Sequence, residues 1–378
     1  MKELVVSAVI LASTLTGASP APERPVFQAA EGTPIDGSYI VQLRRDADPE
    51  AVTGALDVRP RYVYRKAVTG FAGDLTGEQL AAVRRHPDVV AVSQNVESEA
   101  ADTVQPLPPW GLDRIDQRSL PLNYAYVYGN TGESVRVYVI DSGIDAGHDD
   151  FEGRAMFVHN SIDSVSADCT GHGTHVAGII GGKTYGVAKK AKIRAVKMLN
   201  CANKTNTAAA IDAVEWVTAN AIHPAVANAS WGAAFDPVLE TAIEGLISSG
   251  VYLATSAGNT GGNSCGRLPR KVSASLVVGN STNADARNWS SSIGPCVDIY
   301  APGTKIRSSL PGEDNDAWTG TSMAAPHAAG FAAVLKHGYG DLTATGVTNL
   351  ILACATKDEL NPASLTLTPN LLLHTCGL

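Results

Sequence analysis

The apolar positions of the chain follow two different patterns. Between residues 38 and 98 they alternate with polar ones. SYIVQL (38–43) has the two-residue period of a strand. Asp48-Pro49-Glu50 reads as a helix start, with a capping residue, a proline in the first turn and an acid behind it. RYVYR and TGFAGDL, within 61–75, read as strands. Thr76-Gly77-Glu78-Gln79 forms a capping box ahead of QLAAVRRH, and DVVAVSQNV (88–96) closes the unit as a strand. The order β-α-β-β-α-β is the ferredoxin-like α+β arrangement, which hosts many functions and indicates none by itself.

From Trp110 onward, apolar runs replace alternation. VRVYVID (135–141), KIRAVKML (192–199), AVANAS (225–230), VYLATSAGN (251–259) and SLVVGN (275–280) are apolar almost throughout, as buried parallel strands are. HVAGIIGG, TNTAAAIDAVEWVTAN, PVLETAIEGLISSG and APHAAGFAAVLKHG read as the helices between and after them. This predicts an α/β domain over 110–378: a doubly wound, mostly parallel sheet with helices on both faces. Ligands of such sheets sit at the carboxyl ends of the strands. Proline and glycine mark residues 22–37 as a linker, and the acidic, then proline-rich stretch 99–109 as a second linker and processing site.

Residues 1–21 carry Lys2, an apolar stretch from Leu4 to Leu15 and small residues up to Ala21. That is the layout of a secretory signal peptide, although Glu3 weakens its positive end and an amphipathic N-terminus is the competing reading. No later run suits a transmembrane helix. The net charge of −8 and the lack of a basic run give nucleic-acid binding little support. The six cysteines are an even set behind a signal-like segment, which favours disulfides in an oxidising compartment. None has zinc-site spacing.

Three glycine-rich motifs fall where the sheet rule puts ligands. VYVIDSG leaves Asp141 at a strand end, GHGTHVAG places His172 where a helix begins, and GTSMAAPH places Ser322 at another helix start. Taken singly, each has a structural reading: a turn cap, a packed histidine, a helix cap. Together they supply what a serine nucleophile needs, namely a base within hydrogen-bond reach and a carboxylate that orients the base.

These motifs resemble the three active-site signatures of the subtilisin-like serine proteases, over nearly all of residues 110–340. TYGVAKKAKI, SAGN and APGTKI bring the resemblance closest to the proteinase K branch. It implies that Asp141, His172 and Ser322 form the triad, in the chain order subtilisin uses. It also implies that the Asn259 amide stabilises the oxyanion with the Ser322 N–H. Ser230-Trp231-Gly232 and Ser256-Ala257-Gly258 match the two walls of the primary substrate pocket, where an extended peptide adds by β-augmentation. Small residues there suggest a roomy slot with a broad preference for apolar or aromatic side chains. The chain departs from the family pattern at Asn203-Lys204-Thr205 (also a glycosylation sequon), at Trp231 and at Ser290.

The cysteine positions resemble those of the aqualysin-type enzymes. That implies the pairs Cys169–Cys201 and Cys265–Cys296, leaving Cys354 with Cys376, each bridge adding roughly 2–4 kcal/mol. No cofactor is implied for the chemistry. Structural calcium is implied on Asp298 with the carbonyls of Ser273 and Ser275, while the residues alone also allow Asp298 to be a turn cap. Residues 38–98 resemble the inhibitory propeptide of this family, an intramolecular inhibitor released by a cut between about Glu97 and Pro106.

The resulting expectation is a secreted, extracellular, monomeric serine endopeptidase made as a self-processing zymogen. It acts on protein or peptide substrates and keeps no membrane attachment after processing. A peptide-binding pseudoprotease would not need four intact catalytic groups. An α/β-hydrolase would need a G-x-S-x-G elbow, which GTSMA is not.

Overall fold

Near residue 100 the chain divides into two units. The computed structural model describes residues 23–27, 33–97, 103–365 and 367–378. The segment read as a signal peptide, 1–21, lies outside the described residues.

The N-terminal unit runs β1 (Val26–Phe27), β2 (Thr33–Leu43), α1 (Pro49–Ala55), β3 (Tyr62–Tyr64), β4 (Gly70–Asp74), α2 (Gly77–Arg85) and β5 (Val89–Glu97). Its sheet is ordered β1-β5-β2-β4-β3, antiparallel except for β1 on β5. Both helices begin as their sequences dictate. Asp48 accepts the Glu50 N–H at 3.2 Å. Thr76 and Gln79 exchange side chain-to-backbone bonds at 3.2 and 3.0 Å, a complete capping box. Val41, Leu43, Val52, Phe71, Val83 and Val92 form the core. Part of the stretch read as linker is paired, since Val26–Phe27 lies along β5 and Thr33–Gly37 extends β2. Pro34 is tolerated there because it sits beside an irregularity in the β2–β5 register.

The second unit opens with β6 (Thr103–Pro106), α3 (Trp110–Ile115) and β7 (Ala125–Tyr128), β6 pairing antiparallel with β7. Next come β8 (Arg136–Asp141), β9 (Ala155–Asn160), α4 (His172–Gly181), β10 (Lys192–Lys197), α5 (Thr207–Asn220), β11 (Ala225–Ala229), α6 (Pro237–Ser248) and β12 (Tyr252–Ser256). Then follow β13 (Leu276–Ser281), β14 (Ile299–Pro302), the hairpin β15 (Ile306–Leu310) and β16 (Asp314–Trp318), α7 (Thr321–Tyr339), α8 (Ala344–Cys354), β17 (Thr356–Lys357) and β18 (Leu371–Leu372).

The central sheet is ordered β17-β18-β14-β13-β12-β11-β8-β10-β9, and only the β17–β18 pair is antiparallel. Successive residues of β8 show why the strands are apolar throughout. Val137 and Val139 pack under α4 and α7, while Tyr138 and Ile140 pack under α5 and α6. With both faces covered, the positions between Arg136 and Asp141 at its two ends are not free to be charged.

The stretch read as the processing linker contributes β6, and its residues 98–102 lie outside the described ones. Asn203-Lys204-Thr205 lies in a turn, in which the Asn200 side chain accepts the amides of Ala202 and Lys204 at 3.0 and 3.1 Å. The bridges are Cys169–Cys201, Cys265–Cys296 and Cys354–Cys376. Among the described residues, no helix is long and apolar enough to cross a membrane.

Candidate active site

The strand order turns back at β8, which lies between β11 and β10. Asp141 ends β8 and is fully buried. His172 is the first residue of α4, and its Nδ1–H donates to Asp141 Oδ1 at 2.7 Å. Gly173 makes this approach possible, because a Cβ there would collide with the Gly143 carbonyl on the chain leaving β8. The Ser142 amide also donates to Asp141 Oδ1, at 2.7 Å. Asp141 Oδ2 is buried without a partner among the described residues.

Asp168 fixes this corner. Its Oδ1 accepts the Ser142 hydroxyl at 2.9 Å and the Gly171 amide at 2.9 Å, and its Oδ2 accepts the Thr174 amide and hydroxyl at 2.9 and 2.6 Å. It thus takes up amides that the first turn of α4 leaves free. Burial works against a charged His172. The Asp141 carboxylate, by charge and by hydrogen bond, outweighs burial, with Asp168 adding to it, so the imidazole pKa lies above its ordinary value. His175, the second histidine of GHGTH, is different. It stacks on Trp318 at 4.7 Å between ring centroids, and burial pushes its pKa down to about 4. It stays neutral and packs.

Ser322 is the second residue of α7, and the cap position belongs to Gly320. The cap reading of this serine is therefore wrong, because its side chain bonds outside the helix. Ser322 Oγ donates to the Ser230 carbonyl at 3.1 Å, and Ser230 Oγ donates to the Ser322 carbonyl at 3.0 Å. Pro326 explains the second bond. It has no N–H to offer the carbonyl four residues back, so the Ser322 oxygen is open to Ser230. Ser322, His172 and Asn259 line one cleft with Trp318 and Gly320. Asn259 Oδ1 accepts the Thr321 amide at 2.9 Å and the Thr321 hydroxyl at 3.0 Å. Two donors on one atom identify it as the oxygen and turn the Nδ2 donor away from Thr321. Thr321 Oγ1 in turn accepts the Gly258 amide at 3.0 Å.

A family model described as the subtilase family matches residues 132–374, and one described as peptidase inhibitor I9 matches residues 38–101. The chain belongs to the subtilase family. It is a serine protease that carries an inhibitor domain at its N-terminus. Over 382 residues it is 36% identical to the extracellular serine proteinase of Thermus sp. (strain Rt41A), covering 93% of both chains. It is 38% identical over 320 residues to alkaline serine exoprotease A of Vibrio alginolyticus, covering 82% of this chain and 60% of that protein. A solved structure, that of a cold adapted subtilisin-like serine proteinase, matches with a TM-score of 0.69 and 40% identity, over 71% of this subtilase and 98% of that chain.

Beside Ser322 opens a second cavity of about 450 Å³. Ser230, Trp231, Gly232, Ser256 and Gly258 line it. Ala257 does not, since its side chain packs into the core with Val277 and Tyr300. Trp231 presents its carbonyl, and its ring packs with Leu239, Ile243 and Leu268. The slot is not apolar, because Arg270 enters it, and no sequence signal pointed there. Asp168, Thr321 and Trp318 were also missed. Asp168 left a legible trace, an acid just ahead of a helix start.

Asp298 accepts the Val277 amide at 2.8 Å, and burial pushes its pKa up to about 6. Ser275 Oγ donates to the Val272 carbonyl at 2.7 Å, and Ser273 is exposed. Among the described residues no three His, Cys, Asp or Glu side chains gather as a metal-binding group.

Proposed function

We propose that this subtilase is a secreted endopeptidase that cuts proteins through an acyl-enzyme on Ser322. The observation that carries the reading is the 2.7 Å His172–Asp141 bond opening onto the same cleft as Ser322 and Asn259. With Nδ1–H committed to Asp141, Nε2 is the basic nitrogen. It takes the Ser322 proton as Oγ turns from Ser230 and attacks the peptide carbonyl. Negative charge builds on the carbonyl oxygen, where Asn259 Nδ2 and the unbonded first-turn amide of Ser322 receive it. His172 then protonates the leaving amine, and a water it activates resolves the ester. The substrate lies extended against Ser230–Gly232 and Ser256–Gly258.

The precursor is organised as a signal peptide, 1–21, an inhibitory unit, 38–98, and a catalytic unit, 110–378, with self-cleavage within residues 97–106. A relative named extracellular, together with the signal-like start of this chain, supports secretion. The deciding experiment compares the precursor with Ser322→Ala. The expected result is that the variant neither releases its N-terminal unit nor hydrolyses peptides, a loss of about 10⁶ in kcat as for the nucleophile of subtilisin. A variant that matures and cuts normally would remove Ser322 from the mechanism.

The oxygen-only donors Asp298, Ser273 and Ser275 suit calcium, and a buried carboxylate with no cationic side chain beside it among the described residues would gain a counter-charge. Such an ion would tie the loop before β13 to the start of β14. The expected outcome is a rise in Tm on adding calcium that Asp298→Asn loses; equal shifts in both proteins would place the ion elsewhere.

A further inference from the structure

Arg270 is 4% exposed, and its guanidinium is wedged between the two walls of the slot. A Cβ on Gly232 would strike Nη2, and one on Gly258 would strike Nη1, so glycine on each wall is what admits the group. Its hydrogen bonds are long. Nη1 donates to Ser264 Oγ and Nη2 to the Trp231 carbonyl, both at 3.3 Å, and Nε is buried with no acceptor among the described residues. Among the described residues the only charge that bears on it is Arg267, of the same sign. Arg267 also lines the slot, its Nη2 donating to the Gly232 carbonyl at 3.3 Å. Burial first, and Arg267 second, pull the Arg270 pKa down to about 10, which leaves it charged at neutral pH.

A buried cation without a counter-ion is strongly unfavourable. Here the missing partner faces an open cavity that also contains Ser322 and Asn259. We infer that this slot takes an acidic side chain, glutamate foremost, from the substrate residue on the acyl side of the cut, and that Arg270 determines this specificity. The inference rests on the endopeptidase reading above. A carboxylate entering the slot meets a fork of donors that matches its two oxygens. An apolar side chain would cover the guanidinium and leave its charge unpaired. Glutamine has the size of glutamate but brings no charge. Glutamate is favoured over aspartate for its longer reach toward a group held between the two walls.

The sequence of the self-cleavage region fits the same chemistry. Residues 97–106 hold Glu97, Glu99 and Asp102 as their charged residues, with no lysine or arginine. Thr103 is the first residue of β6, so a cut after Glu99 or Asp102 leaves the strands of the second unit whole.

The test uses the mature enzyme and four peptide nitroanilides that differ only in the residue before the cut: Glu, Asp, Gln or Phe. The wild type is expected to favour Glu over Gln by at least about thirtyfold in kcat/KM, the lower end of what a buried charge pair is worth. It is also expected to favour Glu over Phe. Arg270→Ala should bring the Glu/Gln ratio close to one while still cutting Gln or Phe. If that variant does not fold, the wild-type ratio decides alone. N-terminal sequencing of the self-processed enzyme gives a second readout, with a start at Ala100 or Thr103 expected. Wild type that cuts Phe or Gln as well as Glu overturns the inference and leaves the endopeptidase reading intact. Hydrolysis of none of the four, nor of any protein, removes both.

Discussion

The reaction centre and the slot beside it share Ser322 and Asn259 on their linings, yet they treat charge in opposite ways. In the centre, charges are matched inside the protein. Asp141 holds His172, and Asp168 is surrounded by amides and hydroxyls from Ser142, Gly171 and Thr174. In the slot, Arg270 has two long bonds to neutral oxygens and a like-charged neighbour. The centre has to be organised before substrate arrives, because preorganised dipoles do not reorient during the reaction. The slot is completed only by what binds. On this view chemistry and selectivity are carried by separate residues, and substitutions should divide the same way.

After loss of Ser322 or His172, the largest effect in the centre should come from Asp141→Asn. Asparagine cannot hold the Nδ1–H tautomer as the carboxylate does, and kcat should fall about 10⁴-fold. The pH profile gives a second signature. His172 acts as a base only when neutral, so kcat/KM falls as pH drops through its pKa. In the wild type burial pulls that pKa down, but Asp141 outweighs it, and the acid limb lies above the ordinary histidine value of about 6.5. With asparagine the larger upward influence is gone and only that of Asp168 remains against burial, so the limb should move to lower pH. A limb that stays in place would mean that the acid inflection belongs to another group. The Glu/Gln preference should survive in the residual activity. Its loss would break the separation between centre and slot.

How much of this was legible follows from the same contrast. Asp141, His172 and Ser322 each stand in a contiguous motif, because each needs a particular backbone around it: a strand end, a helix start beside Gly173, a helix start with Pro326 behind it. Short-range constraints of that kind leave short-range patterns. The walls of the slot were readable for the same reason, being strand ends with small residues. Its floor was not. Arg270 comes from a third segment, RLPRKV, and becomes part of the site only because its side chain reaches between Gly232 and Gly258. The apolar slot inferred from the walls was wrong for want of that one contact. The strands Thr33–Gly37, β6, β17 and β18 escaped similarly. They are short or proline-bearing pieces, held by partners remote in sequence rather than by a period of their own.

Asn259 and Thr321 allow a finer division within the centre itself. Asn259→Ala removes the donor and should cost about 10²–10³ in kcat with little change in KM, the range known for the equivalent donor in subtilisin. Thr321 also lines the slot, but its side chain is committed to bonds within the protein. Its amide and hydroxyl both hold Asn259 Oδ1, and its hydroxyl oxygen also accepts the Gly258 amide on the wall of the slot. Thr321→Val keeps the shape and the backbone bond but removes the hydroxyl. Asn259 keeps one of its two anchors, so the expected fall in kcat is well under that of Asn259→Ala, about tenfold or less. Gly258, having lost an acceptor, should loosen the wall against Arg270 and lower the Glu/Gln ratio. Thr321 is thus the position where the two regions are mechanically joined. If Thr321→Val changed kcat and left the ratio untouched, the link would stop at Asn259 and the slot would be fixed by Arg270 and the two glycines alone.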